Sequence, residues 1–204
     1  MPELIAPALG TIQETRDRVK HAYGSAIGRN RHDLITPALI LDLPVARRNI
    51  TKMADRLKSM PARLRPHIKV HKSPELARMQ VDAGAIGIST ATVWEAIVMV
   101  RSGLDGIFVV NTVAGREKLA ALAAIARDAD VMVAVDDAKN AAEIAAAARA
   151  AGSTIGVLIE VDTGMDRAGV DTSEQAVELA RRLNVRIVAP IEKQQSQRLP
   201  SLAA

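Results

Sequence analysis

Residues 64–72 read Leu-Arg-Pro-His-Ile-Lys-Val-His-Lys. As a strand over 64–70, side-chain alternation puts Arg65, His67, Lys69 and His71 on one face and Pro66, Ile68 and Val70 on the other. One apolar face backed by a row of nitrogen bases predicts a buried polar site with a lysine at its centre. The bland alternative is a surface strand with a solvated basic face. Lysine carries covalent chemistry when neighbouring cations or desolvation free its amine for Schiff-base formation.

Outward from this stretch the chain repeats a short β-rich run, a loop and a helical run. The pattern predicts further strands at 86–90, 106–110, 131–136 and 154–162, with Val131, Val133 and Val135 sharing one face. Helices are expected at 74–83, 91–102, 114–128, 138–151 and 172–183. Ser73-Pro74 and Asp171-Thr172-Ser173 read as helix starts, and Gly84, Gly103 and Gly152 stand where helices should stop. Alternating β and α units mean a parallel sheet with helical crossovers. An open doubly wound sheet and a (β/α)8 barrel both satisfy that pattern, although no Gly-x-Gly-x-x-Gly follows the first strand. Ahead of the repeats, 38–43 reads as a strand and 44–60 as a helix, whose Ala46, Ile50, Met53, Leu57 and Met60 form one apolar core stripe. Residues 1–35 are a polar extension with a helix near 11–25, residues 36–191 are the β/α domain, 184–191 could add a sixth strand, and 192–204 are a polar tail.

Composition narrows the class. The chain has 204 residues, 49% of them hydrophobic, with Tyr23, Trp94 and Phe108 as its aromatics. Its core must therefore be built from Ala, Val, Ile, Leu and Met. There is no cysteine, which excludes disulfides and thiolate chemistry and fits a reducing cytoplasm. No apolar run approaches the roughly 18 residues of a membrane span, and the first residues lack the basic leader of a secretory signal. A cytoplasmic location is expected. The net charge of +4 raises the question of nucleic acid. Basic residues interleaved with acids along the helices, and so few stacking aromatics, argue against it.

A second stretch gives the first its context. Residues 159–170 read Ile-Glu-Val-Asp-Thr-Gly-Met-Asp-Arg-Ala-Gly-Val, an apolar strand running into a glycine-punctuated turn that carries Arg167. Together with Thr-Pro-Ala-Leu-Ile-Leu-Asp at 36–42 and Arg-Pro-His-Ile-Lys-Val-His-Lys at 65–72, it resembles the D-threonine aldolase and D-serine dehydratase family of fold-type III pyridoxal-phosphate enzymes. The resemblance runs from about Thr36 to Leu183. It implies an α/β fold, a (β/α)8 TIM barrel of the alanine racemase N-terminal type, incomplete in this chain. It also implies a lyase acting on a D-3-hydroxy amino acid, either cleaving Cα–Cβ or eliminating the β-hydroxyl, and a homodimer.

Residue by residue, the resemblance makes Lys69 the lysine that holds pyridoxal 5'-phosphate as a Schiff base and later serves as a base at Cα. Lys72, three residues on, is the rival. Arg167 matches the arginine that contacts the phenolic oxygen of the cofactor; the competing reading is a salt bridge to Asp162 or Asp166. His67 is a cofactor-site candidate and His71 a weaker one, while His21 and His32 read as surface groups. Arg65 could support the cofactor, lending its charge to Lys69, or be structural. Thr90 and Asn111, at the ends of the next two strands, are expected at the mouth where barrel sites sit.

The sequence departs from the family at Val70, where threonine is frequent. The larger departure is length. The family continues through further strands and a β-domain that supply a glycine-rich phosphate loop and a divalent-metal site of histidine with cysteine or aspartate. Here no histidine follows His71 and there is no cysteine, so the metal's ligands are absent and the chain reads as a truncated or frameshifted member. Two alternatives stand beside the lyase: a non-catalytic pyridoxal-phosphate-binding protein, and an inactive remnant or a half that needs a partner chain.

Overall fold

The computed structural model describes residues 12–34 and 36–183. Helix α1 (Ile12–Tyr23) and two short 3-10 turns precede helix α2 (Leu43–Lys58). The β/α repeat then runs α3 (Pro74–Asp82), β1 (Ile88–Thr90), α4 (Val93–Arg101), β2 (Ile107–Val109), α5 (Arg116–Ile125), β3 (Val131–Val135), α6 (Ala138–Ala151), β4 (Gly156–Ile159) and α7 (Ser173–Arg182). The strands form one parallel sheet in the order β1-β2-β3-β4. Sequential parallel neighbours with a helix in every crossover are the arrangement of a (β/α) barrel wall, here an open arc among the described residues.

The helix starts expected at Ser73 and Thr172 are capped as read, and Thr92 and Asp137 cap two more that the sequence reading did not name. Ser73 accepts from the Leu76 N–H, Thr92 from Glu95, Asp137 from Asn140 and Thr172 from Gln175, the last in a full capping box. Each such cap stabilises a helix by about 1 kcal/mol. Gly152 ends α6 in the left-handed conformation, at φ 64°, which glycine adopts without a Cβ penalty.

Register sorts each strand into two rows. Ile88, Ile107 and Val131 are neighbours across the sheet, as are Thr90, Val109, Val133 and Val157. These rows face the helices and make the core with Met99, Leu122 and Ile144. Burying each such aliphatic side chain stabilises the fold by about 1.5–3 kcal/mol. Buried alanines on α5 and α6, among them Ala121, Ala123, Ala141 and Ala148, replace aromatic bulk with small side chains. The opposite row, Ser89, Phe108, Met132 and Gly156, faces what would be the barrel lumen. Gly156 is forced small there, because a Cβ would lie 2.7 Å from the Met132 side chain.

Three expectations change. The strand expected at 64–70 is a single parallel bridge, His67 to Ser89. Pro66 has no N–H to give a ladder, and the chain turns at Ile68, whose carbonyl accepts from both His71 N–H (3.1 Å) and Lys72 N–H (2.8 Å). The strand expected at 38–43 finds no partner among the described residues: Leu39, Ile40 and Leu41 are exposed, and helix α2 begins at Leu43, capped by Asp42. The α2 stripe is not part of the core: none of its residues is buried, with Ala46, Ile50 and Leu57 half-buried. Ile50, Met53 and Leu57 line a cleft of about 510 Å³ against Leu64, Pro66 and Gln80, and Met53 and Met60 remain exposed. The sixth strand and the tail lie outside the described residues, as does residue 35.

Gly87 enters β1 at φ 140°, and a Cβ there would run into the Gly106 carbonyl and the Arg65 guanidinium. Gly87→Ala should therefore cost about 2–3 kcal/mol through backbone strain and overpacking. Urea unfolding followed by circular dichroism checks this, and an unchanged midpoint would contradict the packing described.

Candidate active site

The segment 64–68 is laid along β1 by three backbone bonds. Ile86 N–H donates to Leu64 O (2.9 Å), Ser89 N–H to Pro66 O (2.8 Å), and Ile68 N–H to Ser89 O (2.9 Å). Ile68 is fully buried in the core. His67, bridged to Ser89, stands on the lumen row, and Lys69 follows in the turn at the C-terminal end of the sheet, exposed. This is the end at which barrel active sites are built.

His67 Nδ1 accepts from the Lys69 backbone N–H at 3.2 Å, so the ring proton sits on Nε2. Burial first, then the Lys69 charge, pushes the His67 imidazole below the ordinary histidine value, against the opposing pull of Glu95. His71 is placed differently. Its Nδ1 accepts from Ser73 N–H at 3.0 Å and its Nε2 is buried towards Gln80. Burial again lowers its pKa, outweighing the opposing effects of Gln80 and Ser73. It ties the turn to the start of α3.

The two lysines separate cleanly. Lys72 Nζ lies 3.1 Å from Glu95 Oε1, whereas the Lys69 amine has no ion-pair partner among the described residues. Glu95 Oε2 accepts from the Ala91 N–H at 2.7 Å. Burial alone would raise its pKa, but the Ala91 N–H and the Lys72 charge outweigh it and hold the carboxyl below its ordinary value. Sequence reading missed Glu95. The signal was the Thr92-x-x-Glu95 spacing of a capping box, in which the carboxylate here reaches one residue further back.

Of the two roles expected of Arg65, the structural one holds: the side chain runs to the opposite end of the strands from Lys69, where Nη1 donates to the Gly106 carbonyl ahead of β2. Burial lowers its pKa against the influence of Asp130. Thr90 ends β1 as expected, yet its hydroxyl is fully enclosed on the helix-facing row and has no partner among the described residues. Asn111 lies at the mouth, its Nδ2 donating to Ala91 O at 2.8 Å.

Arg167 sits beyond β4, at the same end of the sheet as Lys69 and across it. Asp162 builds its turn, with Oδ1 accepting from Gly164 N–H (2.7 Å) and Met165 N–H (2.8 Å), and Oδ2 from Arg167 N–H (3.2 Å). The first of these bonds does most to lower the carboxyl's pKa. Gly169 N–H donates to Asp136 Oδ2 at 3.0 Å, pinning the turn to the end of β3. Asp162 thus serves the Arg167 backbone, and the guanidinium has no ion pair among the described residues. Among those residues, no group of three or more His, Cys, Asp or Glu could hold a metal ion, and no helix is long and apolar enough to cross a membrane.

Comparison with known proteins agrees with this geometry. Residues 41–189 match the family model described as the alanine racemase N-terminal domain. The 3-hydroxy-D-aspartate aldolase of Paracoccus denitrificans (strain Pd 1222) is 38% identical over 156 residues, 76% of this chain and 40% of that protein. The D-threo-3-hydroxyaspartate dehydratase of Delftia sp. (strain HT23) is 37% identical over 147 residues, 72% of this chain and 39% of that protein. The crystal structure of D-threonine aldolase from Filomicrobium marinum superposes with a TM-score of 0.72 at 45% identity, covering 74% of this chain and 41% of the other. The chain thus spans about two fifths of the length of the curated relatives it matches.

The lowered imidazoles set a pH dependence. An unfolded chain takes up protons near pH 6.5, before the folded one does. The stability from keeping His67 and His71 neutral is therefore full above that value and lost as pH falls below it. Between about pH 7 and 5, above the carboxylate window, the urea midpoint should fall. His71→Gln should flatten that slope, and an unaltered slope would show that His71 is not held neutral.

Proposed function

The chain belongs to the alanine racemase N-terminal domain family, and we propose that it holds pyridoxal phosphate on Lys69 as a lyase for D-3-hydroxy amino acids. The observation that carries this reading is the unpaired Lys69 amine at the C-terminal end of a parallel β/α sheet, beside a histidine kept neutral by burial. The relatives include both an aldolase and a dehydratase of 3-hydroxyaspartate. Their common substrate class supports the class proposed here, and the bond cleaved distinguishes them.

The residues present fit the cofactor at two points. Lys69 supplies the amine for its aldehyde carbon. Arg167, in a turn fixed by Asp162, would supply a guanidinium without an ion pair among the described residues for its phenolic oxygen. Fixed positive charge there stabilises a phenolate and orients the ring. Thr90, enclosed beneath the mouth, contributes by fixing the end of β1. When bound, pyridoxal phosphate supplies an electron sink for the bond broken at the amino acid. With pyridoxal phosphate bound, Lys69 would be placed to accept or return a proton at Cα of the amino acid. His67 Nδ1 bonds the Lys69 N–H and so steadies the backbone from which that amine extends.

Addition of pyridoxal phosphate should give a visible absorption band, and borohydride reduction followed by peptide mass spectrometry should place one stoichiometric adduct on Lys69. Lys69→Ala should abolish both. Assays on D-threonine and D-3-hydroxyaspartate would then tell cleavage from elimination by product. Label scattered over many lysines would sink the proposal.

A further inference from the structure

Lys72 adopts φ 49°, the left-handed conformation that side chains other than glycine seldom take. A residue kept there needs a reason. The turn it closes is short, with two N–H groups converging on the Ile68 carbonyl, and glycine would suit that position better. What glycine lacks is the ammonium that reaches Glu95 Oε1 at 3.1 Å. Glu95 itself is held firmly: its side chain is only 11% exposed, its backbone N–H is capped by Thr92 (3.2 Å) and its second oxygen takes the Ala91 N–H. The carboxylate is thus a fixed point on the first turn of α4, and Lys72 is the moving part tied to it.

Stability does not account for this pair. Its lysine is 64% exposed, and ion pairs with a solvated partner contribute little, no more than the left-handed backbone costs. Geometry does account for it. Lys69 lies inside the turn that Lys72 closes, and His67, which bonds the Lys69 N–H, feels the charges of both Lys69 and Glu95. We propose that Glu95 is a positioning residue for the Lys69 amine, clamping the 68–72 turn to α4 through Lys72. This rests on the reading of Lys69 as the reactive lysine and adds to it the element that fixes where its amine points.

Three variants of the whole chain test it: Glu95→Gln, Lys72→Gly and Lys72→Arg. Each is labelled with limiting acetic anhydride over a pH series, read at every lysine by mass spectrometry, and separately with pyridoxal phosphate and borohydride. Glu95→Gln should move the acetylation profile of Lys69 against pH, with Lys58 and Lys139 as internal references, and should raise Lys72 labelling. Glu95→Gln and Lys72→Gly should each slow pyridoxal-phosphate uptake at Lys69 about tenfold, the order expected when a reacting group is misplaced. Lys72→Gly should do so with a thermal midpoint equal to or above the parent's, a result that a merely structural lysine cannot give. Lys72→Arg should keep both readouts near the parent's. An Lys69 acetylation profile unmoved by Glu95→Gln overturns the proposal, as does parental uptake in Lys72→Gly. If the parent itself takes no pyridoxal phosphate on Lys69, the cofactor reading fails, and the acetylation profile alone decides the role of Glu95.

Discussion

Ser89 holds the segment 64–68 to the sheet through both of its backbone polar groups, donating to Pro66 O and accepting from Ile68 N–H. Those two bonds straddle His67 and drive Ile68 into the core, where it is fully buried. Everything at the mouth depends on this anchorage. Buried backbone groups must find partners, so once Ser89 has satisfied this stretch the chain is free to turn. Ile68 O then collects the two N–H groups that close the turn. Lys69 is carried to the sheet's end by a segment rigid on one side and tightly folded on the other. A longer strand would have kept it within the ladder, further from the mouth.

The same end of the sheet gathers a second turn by a different device. Around Arg167 the anchor is a carboxylate: Asp162 takes three backbone N–H groups, and Asp136 takes a fourth from Gly169. Gly169 sits at φ 103° with its missing Cβ facing the Asp162 N and Val161 C atoms at 2.6 and 2.7 Å, so only glycine allows that approach. Two acids are thus used up on backbone, and the guanidinium between them is left unpaired among the described residues. The acids that sequence alone offers as partners for Arg167 are the ones that shape its loop.

Much of this was legible. Four β/α units, the helix starts at Ser73 and Thr172, the stop at Gly152 and the valine rows of β3 follow from periodicity and local chemistry, because each is decided within a few residues. The structure places His67 against Ser89 of β1, with Lys69 following at the C-terminal end of the sheet. What failed depended on partners far along the chain. The 38–43 run has strand composition, but a strand exists only against another strand, and none meets it among the described residues. Arg65 shares a nominal face with Lys69, yet a side chain that long reaches the Gly106 carbonyl at the opposite end. Thr90 lies at the right strand end on the wrong row. Alternation gives the face and not the reach.

Charge at the mouth follows a simple economy of partners. Lys72 and His67 both act on one half-buried carboxylate, Glu95. Glu95 takes Lys72 by direct contact and touches His67 only through its field. His67, squeezed by burial and by Lys69, gives up its proton rather than add a third cation. Lys69 is thereby the one amine of this cluster with neither an acid at contact distance among the described residues nor a place in the core. An amine meant for a neutral carbonyl partner needs that condition, since a tight carboxylate would hold it as ammonium. The half-buried Glu95 carboxylate is thus committed to Lys72, and the Lys69 amine is left open at the end of the sheet.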